Sequence, residues 1–277
     1  MTEKKLADFI NPSDKFVLFP FYSDGKALDN QSAPLCGITL KSASSMRFRW
    51  NENNANRNNF FSSLLEDKKT LAPVELNHTK IVYDVSSAEE LKGKVGDGII
   101  TVNPSLVPSV TVADCLPIYL YEPKSKIFGI VHSGWKGTGI AAEAIKLAEK
   151  KYGAKACDFY IVIGPHIGEC CYIVNEERAS YFSSSFSPDC VSPYNKALAA
   201  SAVAGGLKWN NGNGLLYHLS LTKANLALLK KIGVDDEKIT VYTDCTCCTE
   251  AFGSNRRETS LSGRPDNFTV MAAFIKN

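Results

Sequence analysis

Cysteine and histidine are the residue types whose positions in this sequence could do chemistry. Cys115 closes the apolar stretch Thr111-Val-Ala-Asp-Cys115, and His132 closes Ile127-Phe-Gly-Ile-Val-His132. Both stretches read as strands, and two adjacent strands can set a thiol beside an imidazole. His78, just past the strand-like segment 71–77, is a third candidate. One cysteine and two histidines suit a borderline-soft metal, and three protein ligands leave a fourth position for water or substrate. The spacings match no local zinc-finger pattern. The same Cys115–His132 pair could instead be a nucleophile and its base, and a cysteine at a strand end can simply pack in the core.

His132 runs into Ser133-Gly-Trp-Lys-Gly-Thr-Gly139 and then a helical pattern. Backbone N–H groups at such a turn, with the positive end of the helix dipole, can hold an anion, and Lys136 adds charge. The same glycines could serve only to relieve a tight strand-to-helix turn. Trp135 could stack on a base or fill core. A second cysteine group, Cys245-Thr-Cys-Cys248, lacks the spacing of paired metal knuckles. Neighbours on a strand face opposite ways, so these cysteines are expected to be buried packing.

These groups must be positioned by strands more than by helices. Strands are expected at 16–22, 46–50, 71–77, 81–85, 98–102, 109–115, 118–121, 127–132, 159–163, 215–219, 239–243 and 268–274, from their β-branched and aromatic content. Helices are expected at 52–66, at 138–151 with Ile140, Ala141, Ala144, Ile145 and Ala148 on one face, and at 221–232. Ser220 is the expected N-cap of the last helix, with Gly233 just past its end. Strands this closely spaced, without a helix between each pair, imply an α+β fold with mixed sheets rather than a doubly wound parallel one. No linker-like or repeated segment divides the chain, so residues 1–277 are read as a single domain.

The composition narrows the partners. The 277 residues are 44% hydrophobic and 22% charged, and the net charge is only +2. That is an ordinary globular composition without the basic excess of a dedicated nucleic-acid binder. No apolar run approaches the roughly 18 residues of a membrane span, and the charged start lacks the apolar core of a secretory signal. The expectation is a cytoplasmic protein with no membrane or nucleic-acid partner, whose nine cysteines are reduced thiols. Nothing in the sequence sets the oligomeric state, and a monomer is compatible with this reading.

Three blocks carry a resemblance. Thr111-Val-Ala-Asp-Cys-Leu-Pro-Ile118, Val131-His-Ser-Gly-Trp-Lys-Gly137 and Ile163-Gly-Pro-His-Ile-Gly-Glu-Cys-Cys-Tyr172 resemble the signature blocks of the YfiH-like, laccase-domain family, formerly called multicopper polyphenol oxidases. Asn56-Arg57 before them and Tyr217-His-Leu-Ser-Leu221, Asp244-Cys-Thr246 and Arg256-Arg257…Gly263-Arg264 after them keep the family's order, and the resemblance covers about residues 16–275. It implies a four-layer α/β/β/α arrangement, shared distantly with the cytotoxic necrotizing factor catalytic domain. It implies a zinc site of His78, Cys115 and His132. It also implies phosphorolysis of adenosine, inosine, guanosine and methylthioadenosine, and deamination of adenosine, with a purine nucleoside and phosphate as partners. Candidate phosphate holders are Arg57, placed near the site by the resemblance, Arg256, Arg257, Arg264 and the turn from Gly134 with Lys136. His166 stands where the family has cysteine, so a ligand or acid role is open for it. Asn77, Ile173, Ser220 and Asn255 also depart from the family pattern.

Three further readings stand beside this one. His₂Cys is also a copper ligand set, but a polyphenol oxidase needs a further copper cluster rich in imidazole, and only His166 and His218 remain. A metal-free Cys115–His132 pair would suit a hydrolase, such as one editing peptidoglycan precursors. A non-catalytic, structural zinc would need its shell closed by Cys170, Cys171 or His166. Asp114 is expected to point away from Cys115 by strand alternation.

Overall fold

In the computed structural model, residues 1–65, 68–199 and 214–277 are described. The stretch 98–133 organises the rest. Strand Leu116–Glu122 sends Leu116, Ile118 and Leu120 to one face and Tyr119 and Tyr121 to the other, and both faces are buried. It pairs antiparallel with Ile127–Ser133 on one side and with Tyr160–Ile163 on the other. The full sheet has seven strands, in the order Thr2–Lys4, Ile239–Tyr242, Tyr160–Ile163, Leu116–Glu122, Ile127–Ser133, Gly98–Thr101 and Val82–Asp84. Its outer pairs are parallel and its central pairs antiparallel.

A second sheet of five strands runs Phe16–Phe19, Leu35–Thr39, Met271–Lys276, Leu106–Val112 and Thr70–Pro73. Its period-2 pattern divides the same way: Met271, Ala273 and Ile275 enter the core shared with Tyr119, Phe128 and Tyr242 of the first sheet, while Ala272 and Phe274 face outward. The Tyr119 hydroxyl crosses between the sheets to the carbonyl of Gly37, at 2.8 Å. A small sheet of Ile173–Asn175, Leu216–Leu219 and Val191–Pro193 lies beside the large one.

Five helices are described: α1 (Ala55–Leu64), α2 (Ile140–Tyr152), α3 (Glu176–Ser185), α4 (Leu221–Lys231) and α5 (Asn255–Ser262). The expected apolar face of α2 packs with α4 on the large sheet. Phe61 of α1 covers the outer face of the five-stranded sheet beside Phe274. The layers are therefore helix, sheet, sheet, helix, and the mixed α+β architecture is as expected.

Local departures have local causes. The expected helix 52–66 begins at Ala55, where the Asn54 side chain accepts from the Arg57 N–H, and residue 66 lies outside the described residues. Ser220 caps α4 through the Lys223 N–H, as expected. No strand forms at 46–50; that stretch is irregular, held by Met46 N–H on the Val270 carbonyl and Trp50 N–H on Glu75. The strand expected at 71–77 stops at Pro73, and the one expected at 109–115 stops at Val112. Asp114 then adopts φ +83, in the left-handed region. Strand alternation therefore does not apply to it, and Asp114 lines the same cavity as Cys115. Likewise Cys245–Cys248 form a turn rather than a strand, with Cys248 N–H donating to the Cys245 carbonyl at 3.0 Å. Cys248 is exposed there, against the expectation of buried packing. Helices α3 and α5 were not foreseen, being too polar to show a strong apolar stripe.

Candidate metal centre

Strand register places Cys115 and His132 together. Leu116 pairs with Ser133 and Pro117 with His132, so Cys115 lies at the strand end beside the imidazole. His78 comes from the turn after Thr70–Pro73, at φ +54. A non-glycine residue in that region is uncommon, and such positions cluster at functional sites. The ligand atoms of His78, Cys115 and His132 all lie within 4.8 Å of one another. Gly134 leaves them room: a Cβ there would meet the Cys115 sulfur at 3.0 Å and the His78 ring at 3.2 Å.

Asp97, which the sequence reading missed, ties the group together. Its fully buried carboxylate accepts from the His132 ring Nδ1 at 2.9 Å, from the His78 N–H at 3.0 Å and from the Thr79 N–H and hydroxyl at 2.6 and 2.7 Å. With Nδ1–H donated to Asp97, Nε2 of His132 is left as the coordinating nitrogen. Burial works against the Asp97 charge, but the His132 and Thr79 hydrogen bonds outweigh it and hold the carboxyl below its usual range. Burial likewise disfavours the His132 cation, yet Cys115 and Asp97 lift that imidazole to about 9. Burial would raise the Cys115 thiol, but His132 and His78 lower it to about 7. Without a metal, these opposed shifts favour a thiolate beside an imidazolium between about pH 7 and pH 9. The donor set, the oriented imidazole and the space kept by Gly134 fit a three-ligand metal site.

The triad forms part of the wall of a cavity of about 480 Å³, within the roughly 300–1,000 Å³ usual for small-molecule sites. Trp135, Tyr172, Phe48 and Phe268 line it, with Arg47, Arg49 and Arg256 as its cations. Arg49 is paired with Glu75 and Glu52, at 3.1 and 3.7 Å. Arg47 lies over the Phe268 ring at 5.7 Å and makes no ion pair among the described residues. The N–H of Arg256 caps Asp114 at 2.6 Å, and its guanidinium reaches the carbonyls of Cys171 and Ile173. Burial raises the Asp114 carboxyl above its usual range, although Thr246 and Arg256 oppose this. Asp114 too lines the cavity.

The other sequence candidates are placed elsewhere. Arg57 is 2% exposed and sandwiched between Phe48 and Phe61, its guanidinium 5.0 and 4.8 Å from the ring centres. It donates to the Met46 carbonyl and the Ser109 hydroxyl and does not line the cavity. Arg257 is buried on the carbonyls of Thr246, Cys247 and Phe252. Lys136 and Arg264 are exposed and off the cavity wall. His166 is buried, its ring nitrogens engaged by the Gly164 carbonyl at 2.8 Å and the Thr222 hydroxyl at 2.5 Å. His218 contacts Glu169 and Asn195, so the two remaining histidines do not gather into a copper cluster. Cys170 and Cys171 lie against Cys248, not against the triad. The three residues named to close a structural zinc shell therefore do not close it. Arg47 and Arg49 belong to the irregular stretch read as a strand, which hid them from sequence reasoning.

Known proteins resemble this chain in sequence and in fold. Over 182 residues the chain is 34% identical to a Geobacillus stearothermophilus protein named purine nucleoside phosphorylase YlmD, a match covering 65% of this chain and 59% of that one. The match thus spans less than two thirds of that relative. A protein of an unknown prokaryotic organism named adenosine deaminase RL5 is 29% identical over 171 residues, covering 61% of this chain and 59% of that one. The crystal structure of the Geobacillus YlmD superposes with a TM-score of 0.70 at 25% identity, covering 88% of this chain and 92% of that one. Bacillus licheniformis YfiH superposes at 0.71 and 24% identity, covering 89% and 93%. Residues 50–272, which hold the triad and Arg256 but begin after Arg47 and Arg49, match the family described as multi-copper polyphenol oxidoreductase laccase, and to that family the chain belongs.

Proposed function

We propose that the protein is a zinc-dependent purine nucleoside enzyme, acting by phosphorolysis of adenosine, inosine, guanosine and methylthioadenosine and by hydrolytic deamination of adenosine. One observation carries the reading: His78, Cys115 and His132 converge on a cavity that also presents Arg47 and Arg256. The names of the relatives agree with it. A bound zinc ion would supply Lewis acidity and an activated water near neutral pH. Asp97 holds the His132 ring in one tautomer. Arg47 and Arg256 are the groups suited to hold phosphate, since a planar guanidinium can bind two oxygens at once. Trp135 and Tyr172 offer rings against which a purine can stack. In phosphorolysis a phosphate oxygen bonds to C1′ of the ribose as the bond to the base breaks. The base leaves with that electron pair and gains a proton. In deamination the oxygen of water replaces the amino group at C6, and ammonia leaves.

The test is chromatographic. Purified protein of known zinc content is incubated with adenosine, with and without phosphate, alongside His132→Ala. Adenine and ribose-1-phosphate formed only with phosphate, inosine formed without it, and neither formed by the variant are the expected results. No product from zinc-loaded protein overturns the reading. A second reading rests on the Cys115–His132–Asp97 order, which is also that of a thiol hydrolase. Chelation separates the two: it abolishes turnover by a zinc enzyme and leaves a thiol hydrolase active.

A further inference from the structure

The molecule holds a second cluster of metal-ligating side chains apart from the cavity triad. Cys170 and Cys171 stand in the turn before strand Ile173–Asn175, and Cys245 and Cys248 in the turn after strand Ile239–Tyr242. Their four sulfurs lie within 4.8 Å of one another. Cys170 to Cys171 is 3.8 Å, Cys170 to Cys248 is 3.8 Å and Cys171 to Cys248 is 3.4 Å. Those separations discriminate between chemistries. A disulfide requires about 2.05 Å between sulfurs. A single tetrahedral zinc with bonds of about 2.3 Å sets its thiolates roughly 3.8 Å apart, the edge of that tetrahedron. The three separations among Cys170, Cys171 and Cys248 thus fall at or just under that edge, and Cys245 lies within 4.8 Å of them, an arrangement that suits one four-thiolate ion.

We infer that Cys170, Cys171, Cys245 and Cys248 bind a second, structural zinc ion, independent of the cavity triad and of the activity proposed there. Local geometry prepares the site. The turn at 245–248 folds back on itself through the Cys248 N–H to Cys245 carbonyl bond, which brings both sulfurs to one side. The Gly168 N–H donates to the Cys245 sulfur at 3.2 Å, a contact that suits a thiolate. Backbone hydrogen bonds between His166 and residues 244 and 246 already align the two turns. A bound zinc ion would hold the sulfurs as thiolates, their protons released to solvent.

The clamp would act on the cavity from behind. Ile167 and Tyr172, on either side of Cys170 and Cys171, line the cavity. Thr246, between Cys245 and Cys248, donates to Asp114 at 2.7 Å.

Metal counting on the full chain tests this. Zinc is measured by mass spectrometry on protein grown in zinc-supplemented medium and passed over chelating resin. Two zinc ions per wild-type chain, one in His132→Ala and one in the double variant Cys171→Ser, Cys248→Ser are expected. Cobalt reconstitution of His132→Ala guards against misfolding of the cysteine variant, because it leaves the cluster intact. One equivalent of cobalt should develop the intense thiolate-to-metal charge-transfer absorption and d–d bands of a tetrahedral four-sulfur site. His132→Ala that holds neither zinc nor a cobalt spectrum overturns the inference. So does a disulfide within the cluster, found by mass mapping of protein alkylated before any reductant is added.

Discussion

The Asp97 carboxylate touches both histidine-bearing segments, through the His132 ring and the His78 N–H. Removing its charge while keeping its shape is therefore informative. Asp97→Asn is expected to weaken metal binding about 10–100-fold, the usual cost of losing a carboxylate behind a ligating imidazole, as read by chelator competition. The opposed shifts of His132 and Cys115 predict a proton balance. A raised imidazole stabilises the fold below its ordinary range, and that contribution fades as pH rises through about 9. A lowered thiol stabilises the fold at alkaline pH, and that contribution fades as pH falls through about 7. Between these values the metal-free pair carries one proton, the same count as a neutral thiol with a neutral imidazole, so stability changes little with pH there. Metal binding must expel that proton. Affinity should then rise about tenfold per pH unit between pH 7 and 9, with about one proton released per ion in calorimetry across buffers of different ionisation heat. At the phosphate end, Arg47→Ala should raise the phosphate KM several-fold with little change in melting temperature. Arg57→Met should do the reverse. Its guanidinium lies in the core with burial pulling its pKa down to about 10. Loss of its two buried hydrogen bonds and ring contacts should cost about 2–3 kcal/mol, read by denaturant unfolding.

Among the elements, the strand pair Leu116–Glu122 and Ile127–Ser133 sets the site. Its register puts Cys115 beside His132, and a slip of one residue would turn every side chain to the other face. The chain leaves that pair through Gly134, where the triad itself fills the space a side chain would need. Gly134→Ala should reduce zinc occupancy more than tenfold while moving the melting temperature by only a few degrees, measured on the same preparation by metal analysis and calorimetry. The expectation that this glycine turn holds an anion through Lys136 is not what the structure displays. Lys136 turns outward over Trp135, at 5.3 Å from the ring centre, while the arginines of the cavity come from the irregular 46–50 stretch and from α5.

At the scale of the molecule, four layers bury two main cores, one between the sheets and one between the large sheet and α2 with α4. The triad and the cysteine cluster both sit where loops leave these layers, so a metal held there would couple mainly to the folded state. A ligand present at 100 times its Kd adds about 2.7 kcal/mol to stability. Chelation should therefore lower the melting temperature by several degrees. The shift in His132→Ala should be smaller than in the wild type, since one of the two sites is already lost.

Closely spaced strand patterns with few helices between them were enough for the mixed α+β class, because strands with buried faces must alternate or run wholly apolar whatever their order in space, while the four layers were implied by the family resemblance. Cys115, His132 and His78 were legible as candidates, and the family resemblance of the blocks around Cys115 and His132 implied them as one ligand set, although the strand expected to end on Cys115 stops at Val112. Three matters were decided only by tertiary structure. Asp97 became a partner of His132 across 35 positions of sequence. Arg57, on α1, went into the core between Phe48 and Phe61, while Arg47, on an irregular stretch where a strand was expected, went to the cavity. Four cysteines in two distant turns met within 4.8 Å of one another. Period and propensity describe which face a residue turns within its own element, whereas these meetings depend on where loops end, and loop ends are set by packing between elements far apart in sequence.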